Sequence, residues 1–458
     1  MGAGPSEEKE AQSAYASGDY ARAASLIRPL AEQGHVMAQN NLGLLYRDGM
    51  GVPKDEKEAV AWFRKAAEQG HAAAQFNLGA MHYNSQSLSR DPGQAALWLR
   101  KAADQGHALA QTTLGILYDE GRGVPQDPGQ AVLWYRKAAD QGFPSGQVNL
   151  GGMYAKGRGV PKDYGQAALW YRKAADQGFP LGQTTLGVLY DEGLGVPRDH
   201  GQAALLMRKA ADQGFASAQE NLGALYDNGR GVPRDHGQAA LWYRKAADQG
   251  SARAQTALGV LYDNGRGVPK DYEQAALWYR KAADQGFHFA QDNLGSMYFK
   301  GQGVLQDYGQ AALWFRKAAD QGFAPAQNNL GLMYANGRGM PQDYKQAALW
   351  FRRAADQGHE NARANLRVVS SRLAANDLAT SLAQAAAIVG AAFVVGAAGV
   401  TVMDLLSGGD STGDYVGGTG SGIKRWNELH LDDYDGKWKR EADLNRDKRE
   451  RNEPVYGP

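Results

Sequence analysis

A glycine within the phrase Asn-Leu-Gly-x-x-Tyr, or a close variant of it, returns every thirty-six residues: Gly43, Gly79, Gly115, Gly151, Gly187, Gly223, Gly259, Gly295 and Gly331. A fixed period of that length specifies a solenoid of stacked helix pairs rather than one globular core. Such a stack buries the residues that repeat and leaves the unrepeated ones to meet partners. At 458 residues a chain would ordinarily divide into two or three domains, but here the repeat is the proper unit.

One repeat shows how the helices arise. Ala110, Leu114, Leu117 and Tyr118 recur at three- and four-residue spacings, which is one face of a helix. Gly115 lies inside that helix, where glycine costs about 1 kcal/mol relative to alanine. Its return in every repeat predicts close approach by a neighbouring helix. Gly121-Arg122-Gly123-Val124-Pro125 then turns the chain. Asp127 is suited to cap a second helix, with Pro128 at its first position, where a missing N–H costs nothing. Ala131, Trp134, Tyr135, Ala138 and Ala139 form its apolar stripe, and Gly142 fits a left-handed stop. Each repeat is thus an antiparallel helix pair.

The register also sets the expected ends. A second-type helix is expected from Asp19 to Gln33, behind a polar cap helix near Glu7–Ala16 within residues 1–18. The solenoid proper covers 19–368. Arg367 stands where the next motif glycine would fall, so regular stacking is expected to stop there. Ser85 to Ser89 replace the Gly-x-Gly-Val-Pro turn of the second repeat, which predicts a soft spot or a contact site there. A connecting helix is expected over 369–384, a candidate transmembrane helix over 385–405, and a flexible, largely disordered charged tail over 406–458.

The segments Ala-x-x-Trp-Tyr-Arg-Lys-Ala-Ala-Asp-Gln-Gly at Ala131–Gly142 and Ala-Gln-x-x-Leu-Gly-x-x-Tyr at Ala110–Tyr118 resemble the Sel1-like repeat family, a relative of the tetratricopeptide repeats. The resemblance runs from Asp19 to Gly358. It implies an all-α, right-handed superhelical solenoid with a concave binding face, a bacterial source, and a non-enzymatic adaptor role. One branch of that family clips its helices with disulfides; this chain has no cysteine and departs from that branch.

Composition narrows the chemistry. Fifty Lys and Arg against 49 Asp and Glu leave no basic excess to attract nucleic acid. Met1 to Lys9 has no apolar core, so either a leader is missing or the chain starts in the cytoplasm. Trp62, Trp98, Trp134, Trp170, Trp242, Trp278, Trp314 and Trp350 form a column, with Leu206 in the ninth place. The leucine favours core packing over a stacking platform. His35, His71 and His107 also recur at the period. Equivalent positions on stacked helices lie on the order of 10 Å apart, too far for donors that must sit about 2 Å from one ion. Asp443-x-Asn445-x-Asp447 begins like a calcium loop but places Lys448 and Pro454 where glycine and glutamate belong. No cofactor, metal site or catalytic set is expected, and no enzyme.

Positions that escape the repeat carry the binding expectation. Three residues before the motif glycine stand Asn40, Phe76, Thr112, Val148, Thr184, Glu220, Thr256, Asp292 and Asn328. Four residues after it stand Arg47, Tyr83, Asp119, Ala155, Asp191, Asp227, Asp263, Phe299 and Ala335. Both sets fall on the first helix, which lines the concave face if the resemblance holds. Phe76, Tyr83 and Phe299 are expected as exposed aromatic anchors, and Asp191, Asp227 and Asp263 as a central acidic strip. Arg122, Arg158, Arg230, Arg266 and Arg338 form a basic column in the turns. Two readings follow: Asp and Arg neutralise one another at about 0–1 kcal/mol per pair, or the face receives an extended peptide bearing basic and aromatic residues.

Ala385 to Met403 contains no charged residue. As a helix its nineteen residues would reach about 28 Å, close to the roughly 30 Å of a bilayer core. Arg363, Arg367 and Arg372 precede it, and Asp404, Asp410 and Asp414 follow. That asymmetry predicts a single-pass protein with the repeats facing the cytoplasm. Ala392 and Gly396 offer a spacing for self-association through the apolar helix. The alternative is an Ala-rich helix capping the last repeat of a soluble cytoplasmic or secreted protein. The sequence reading is therefore a protein-binding scaffold tethered to a membrane through Ala385–Met403. Its rival is a host-directed, membrane-active effector whose Gly/Ala-rich helix inserts into a bilayer.

Overall fold

The structure, a computed structural model, describes residues 5–84 and 90–389. Among the described residues all regular structure is α-helical, in twenty-one helices. They fall into two compact parts, one ending at Gln213 and one beginning at Gly214. Two helices, α1 (Pro5–Ala16) and α2 (Tyr20–Glu32), precede the pairs. The first helices of successive pairs in the N-terminal part are α3 (Val36–Asp48), α5 (Ala72–Asn84), α7 (Ala108–Glu120), α9 (Pro144–Lys156) and α11 (Pro180–Glu192). Their second helices are α4 (Glu56–Glu68), α6 (Pro92–Asp104), α8 (Pro128–Asp140), α10 (Tyr164–Asp176) and α12 (His200–Asp212). In the C-terminal part the first helices are α13 (Ala216–Asn228), α15 (Ala252–Asn264), α17 (His288–Lys300) and α19 (Ala324–Asn336). The corresponding second helices are α14 (His236–Asp248), α16 (Tyr272–Asp284), α18 (Tyr308–Asp320) and α20 (Tyr344–Asp356), and α21 (Glu360–Val389) follows.

Local chemistry places each boundary. Asp127 accepts a hydrogen bond from the Gln130 amide at 3.0 Å, capping α8. Gly121 ends α7 in the left-handed region, at φ 70°. Gly123 is needed twice over. Its φ is +69°, and a Cβ there would stand 1.9 Å from the Pro92 carbonyl oxygen, so the turn sits directly on the second helix of the preceding repeat. Within each part every helix packs on its predecessor and successor; α7 also meets α9, and α9 meets α11. That is a solenoid of helix pairs.

The core is shared between repeats. Ala131, Tyr135 and Ala139 of α8 pack with Leu150 and Met153 of α9, and Trp170 of α10 closes the cluster. The tryptophans are packing residues, 2–7 % exposed. In seven of them a lysine three residues on stands 3.8–4.0 Å from the ring centroid, and in Trp350 an arginine takes that place at 4.6 Å. A buried amide relay runs beside them. Gln111 donates to the Ala103 carbonyl at 3.0 Å and accepts from Gln141 at 2.7 Å, joining three successive helices. The same Gln-to-Gln bond joins Gln39 to Gln69 and Gln327 to Gln357. Buried amides need such partners, and here the partners lie in different repeats.

Three expectations change at the ends. Arg367 was expected to stop the stacking, yet α21 packs on α20 through Ala362, Leu366 and Val369; Arg367 simply turns outward and is exposed. α21 runs without a break from Glu360 to Val389, so no helix boundary falls at 368/369 or 384/385. The single-pass placement is overturned: among the described residues no helix is long and apolar enough to cross a membrane. The physical reason is that the helix entering the apolar segment is a charged one. It carries Glu360, Arg363, Arg367, Arg372 and Asp377 and belongs to the solenoid's last contact. The remainder of Ala385–Met403, the loop Ser85–Ser89, the 406–458 tail and the calcium-like stretch at Asp443 lie outside the described residues.

Candidate binding face on the first helices

Positions three before and four after the motif glycine are seven residues apart and share one helix face. The structure treats the two rows differently.

In the earlier row, side chains mostly seal one repeat against the next. Asn40 accepts from Asn77 at 3.0 Å, and Asn328 accepts from Asn365 at 2.9 Å. Thr112, Thr184 and Thr256 return their hydroxyls to their own helices at 2.8–3.0 Å. Phe76 is 5 % exposed and stacked on His107, with centroids 5.0 Å apart. Its expected role as an exposed anchor is therefore corrected. It occupies the position from which asparagine bridges to the next repeat elsewhere. Glu220 accepts from Ser251 at 2.5 Å, with Arg253 3.9 Å away.

The later row is covered from the neighbouring turn and the start of the second helix. Arg122 donates to the Tyr83 hydroxyl at 2.7 Å. Arg158 pairs with Asp119 at 2.9 Å and also reaches its carbonyl at 3.1 Å. Arg338 lies over the Phe299 ring at 5.3 Å, and Tyr308 packs against the same ring with centroids 5.2 Å apart. Phe299 is 9 % exposed, so its exposure too is corrected, whereas Tyr83 stays half-buried. Arg266 is exposed and Arg230 half-buried in the equivalent turns. For Asp119 and Arg158 the neutralising-pair reading describes what the side chains do.

The acidic strip is also not open along its length. Asp191 is 1 % exposed, and His200 donates to it through Nδ1 at 2.7 Å. His236 covers Asp227 in the same way at 2.7 Å. Asp263 is different. It remains half-buried, its second helix begins with Tyr272 rather than histidine, and burial pushes its carboxyl up against the opposing pull of Lys300 and Lys270. Asp292, on the adjacent first helix, is pushed up to about 7 by desolvation, with the Asn329 hydrogen bond at 2.9 Å acting the other way.

Two of the recurring histidines, His71 and His107, cap helices with their side chains, and His35 does not. Nδ1 of His71 and His107 accepts from the Ala74 and Ala110 amides at 3.2 and 3.1 Å. Burial lowers both imidazole pKa values. Among the described residues no three His, Cys, Asp or Glu side chains are grouped to hold a metal ion.

This repeat geometry coincides with a known family. The Sel1 repeat model matches nine times in tandem, from residues 36–71 through 324–359. The chain belongs to the Sel1 repeat family. It is similar to a Sel1 repeat protein from Oxalobacter formigenes at 39 % identity, covering 68 % of this chain and 89 % of that one, with a TM-score of 0.51. It is also similar to a protective antigen of uropathogenic Escherichia coli that displays an SLR fold. That match has 34 % identity, 78 % and 92 % coverage, and a TM-score of 0.46. No curated protein matches. Sel1 repeat proteins are generally protein-interaction scaffolds and typically non-enzymatic.

Two features of this Sel1 solenoid escaped the sequence reading. Asp191–His200 and Asp227–His236 are each nine residues apart, a spacing visible only once the turn is known to fold back. The signal was histidine at a position where other repeats carry tyrosine or proline. The second is a half-buried aromatic group, Phe287, His288, Phe289 and Phe323, with centroids 4.5–5.6 Å apart at the start of α17 and α19. His288 stands where the first helices of the other repeats open with alanine, proline or valine, and Phe289 follows it. Burial, then Arg253, lowers the His288 pKa.

Proposed function

We propose that this protein is a non-enzymatic binding scaffold whose first-helix face, in the C-terminal part, receives a basic extended segment of a partner protein. The observation that carries this reading is the pair Asp263 and Asp292. They stand on one face of adjacent first helices, and both carboxyls are raised by desolvation. Asp191, Asp227 and Asp119, by contrast, already hold a histidine or arginine. A raised carboxyl is one whose desolvation outweighs the compensation its neighbours supply. A lysine or arginine from a partner would supply it, and a preorganised face adds little ordering cost. Tyr83, Phe76 and Phe299, being half or fully buried against their own and the following repeat, support the shape of the first-helix face rather than anchor a partner.

The test is fluorescence-polarisation binding of three synthetic twelve-residue peptides of matched length: Arg/Lys-rich, neutral, and Asp/Glu-rich. The basic peptide is expected to bind at least tenfold more tightly than the others. The Asp263→Asn, Asp292→Asn double variant should abolish that preference. Equal binding of all three, or a double variant that keeps the preference, would sink the reading.

A further inference from the structure

The second helices carry a feature that repeat packing does not require. Leu97, Leu133, Leu169 and Leu205 are 43–52 % exposed, one on the outer face of each of α6, α8, α10 and α12. Packing does not demand leucine there, since the same register holds the exposed residues Ala61 in α4 and Ser25 in α2. A row of half-exposed leucines is the kind of apolar surface that marks an interaction site.

The flanking positions on the same stripe are ordered as well. Seven residues after each leucine stands an exposed aspartate: Asp104, Asp140, Asp176 and Asp212. Seven residues before stand Arg90, Gln126, Lys162 and Arg198, of which the three cations are exposed. Four residues after come Lys101, Lys137, Lys173 and Lys209, and four before come Gly93, Gly129, Gly165 and Gly201. Those glycines are helical and are not dictated by the repeat, because Lys57, Glu273 and Lys345 fill the same register elsewhere.

We propose that this leucine ridge docks a second copy of the chain, ridge to ridge, about a two-fold axis through the leucine row. An axis along that row makes each i+7 position face an i−7 position, with each helix antiparallel to the same helix of the other copy. Asp104 then meets the other copy's Arg90, Asp176 meets Lys162, and Asp212 meets Arg198, while Asp140 meets the neutral Gln126. The lysine row meets the glycine row, so no like charges oppose and the long stems have room. A contact of this kind, self-complementary in charge, is what an isologous interface requires. Four thirteen-residue helices on the order of 10 Å apart, each about 20 Å long, offer roughly 800 Å² per copy, the size of one side of a standard interface.

The C-terminal part repeats the leucines, as Leu241, Leu277, Leu313 and Leu349, but not the complementarity. There the same axis would set Lys345 against Arg353, and Gln306 and Gln342 stand in two of the four basic positions. The proposal is therefore confined to the N-terminal ridge.

Sedimentation velocity on the full chain, across micromolar to submillimolar concentration, tests it. The wild type is expected to dimerise. Leu133→Glu with Leu169→Glu should weaken dimerisation at least tenfold at unchanged helicity, whereas Leu277→Glu with Leu313→Glu should leave it unchanged. A chain with Asp104→Lys, Asp176→Lys and Asp212→Lys, and another with Arg90→Glu, Lys162→Glu and Arg198→Glu, should each be monomeric alone and associate when mixed. A wild type that stays monomeric throughout overturns the proposal, even if its leucines capture a different protein or a lipid vesicle. So does a dimer that survives the Leu→Glu changes, or a mixture that fails to associate.

Discussion

Gly115 and Tyr135 compete for one space: a Cβ on the glycine would stand 2.6 Å from the tyrosine ring. The ring belongs to the second helix of the same repeat and is 3 % exposed. Its contact explains why a glycine persists in mid-helix. Gly115→Ala should therefore destabilise the repeat. Overpacking costs about 1–3 kcal/mol, set against about 1 kcal/mol of helix propensity gained. Gly187→Ala is the internal control, because its neighbour is the flexible Met207 at 3.2 Å. Urea unfolding should show a clear loss for Gly115→Ala and a smaller loss or none for Gly187→Ala.

The glutamine relay makes a second prediction. Replacing Gln111 by leucine removes the donor to Ala103 and the acceptor for Gln141 in one step. Leaving buried polar groups unpaired costs about 1–3 kcal/mol. Because the bonds join repeats, hydrogen exchange should accelerate in both α6 and α8, not only in α7.

Two buried titratable groups should impose opposite pH dependences. Asp292 is raised to about 7 from 3.8. The native state thus holds a proton that the unfolded chain has released, and stability falls as pH rises through that window. Asp292→Asn, which keeps an acceptor for Asn329, should raise the melting temperature at pH 8 and leave it unchanged near pH 4.

His107 works the other way. Its pKa is lowered from 6.5 by desolvation and then by His71, which favours the neutral imidazole that caps Ala110. Its contribution is present above pH 6.5 and lost as pH falls through the lowered value. His107→Asn supplies a cap that does not titrate, and should flatten the acid limb of the stability profile.

Much of the fold was legible because a thirty-six-residue period writes each packing rule nine times. The close approach at Gly115, the cap at Asp127 and the left-handed Gly142 all follow from residue chemistry alone. The binding face was less legible. Phe76 looked exposed because it broke the pattern, yet breaking the pattern let it fill a gap beside His107. Asp191 looked available because its histidine lies nine residues away, across a turn. A departure from the repeat marks a local change of partner. Whether that partner is internal depends on three-dimensional neighbours that a single repeat does not reveal. The apolar stretch misled for a related reason: hydropathy was counted from Ala385 onward, whereas the helix leading into it begins at Glu360 and is charged.

Proton release on binding tests the central claim most directly. Calorimetry of the Arg/Lys-rich peptide at pH 7, in two buffers of different ionisation enthalpy, counts the protons displaced when a cation meets Asp292. The account predicts release of about half a proton per peptide, as expected for a group near its midpoint, and none in Asp292→Asn. Binding with no proton release, or the same release in the variant, would contradict it.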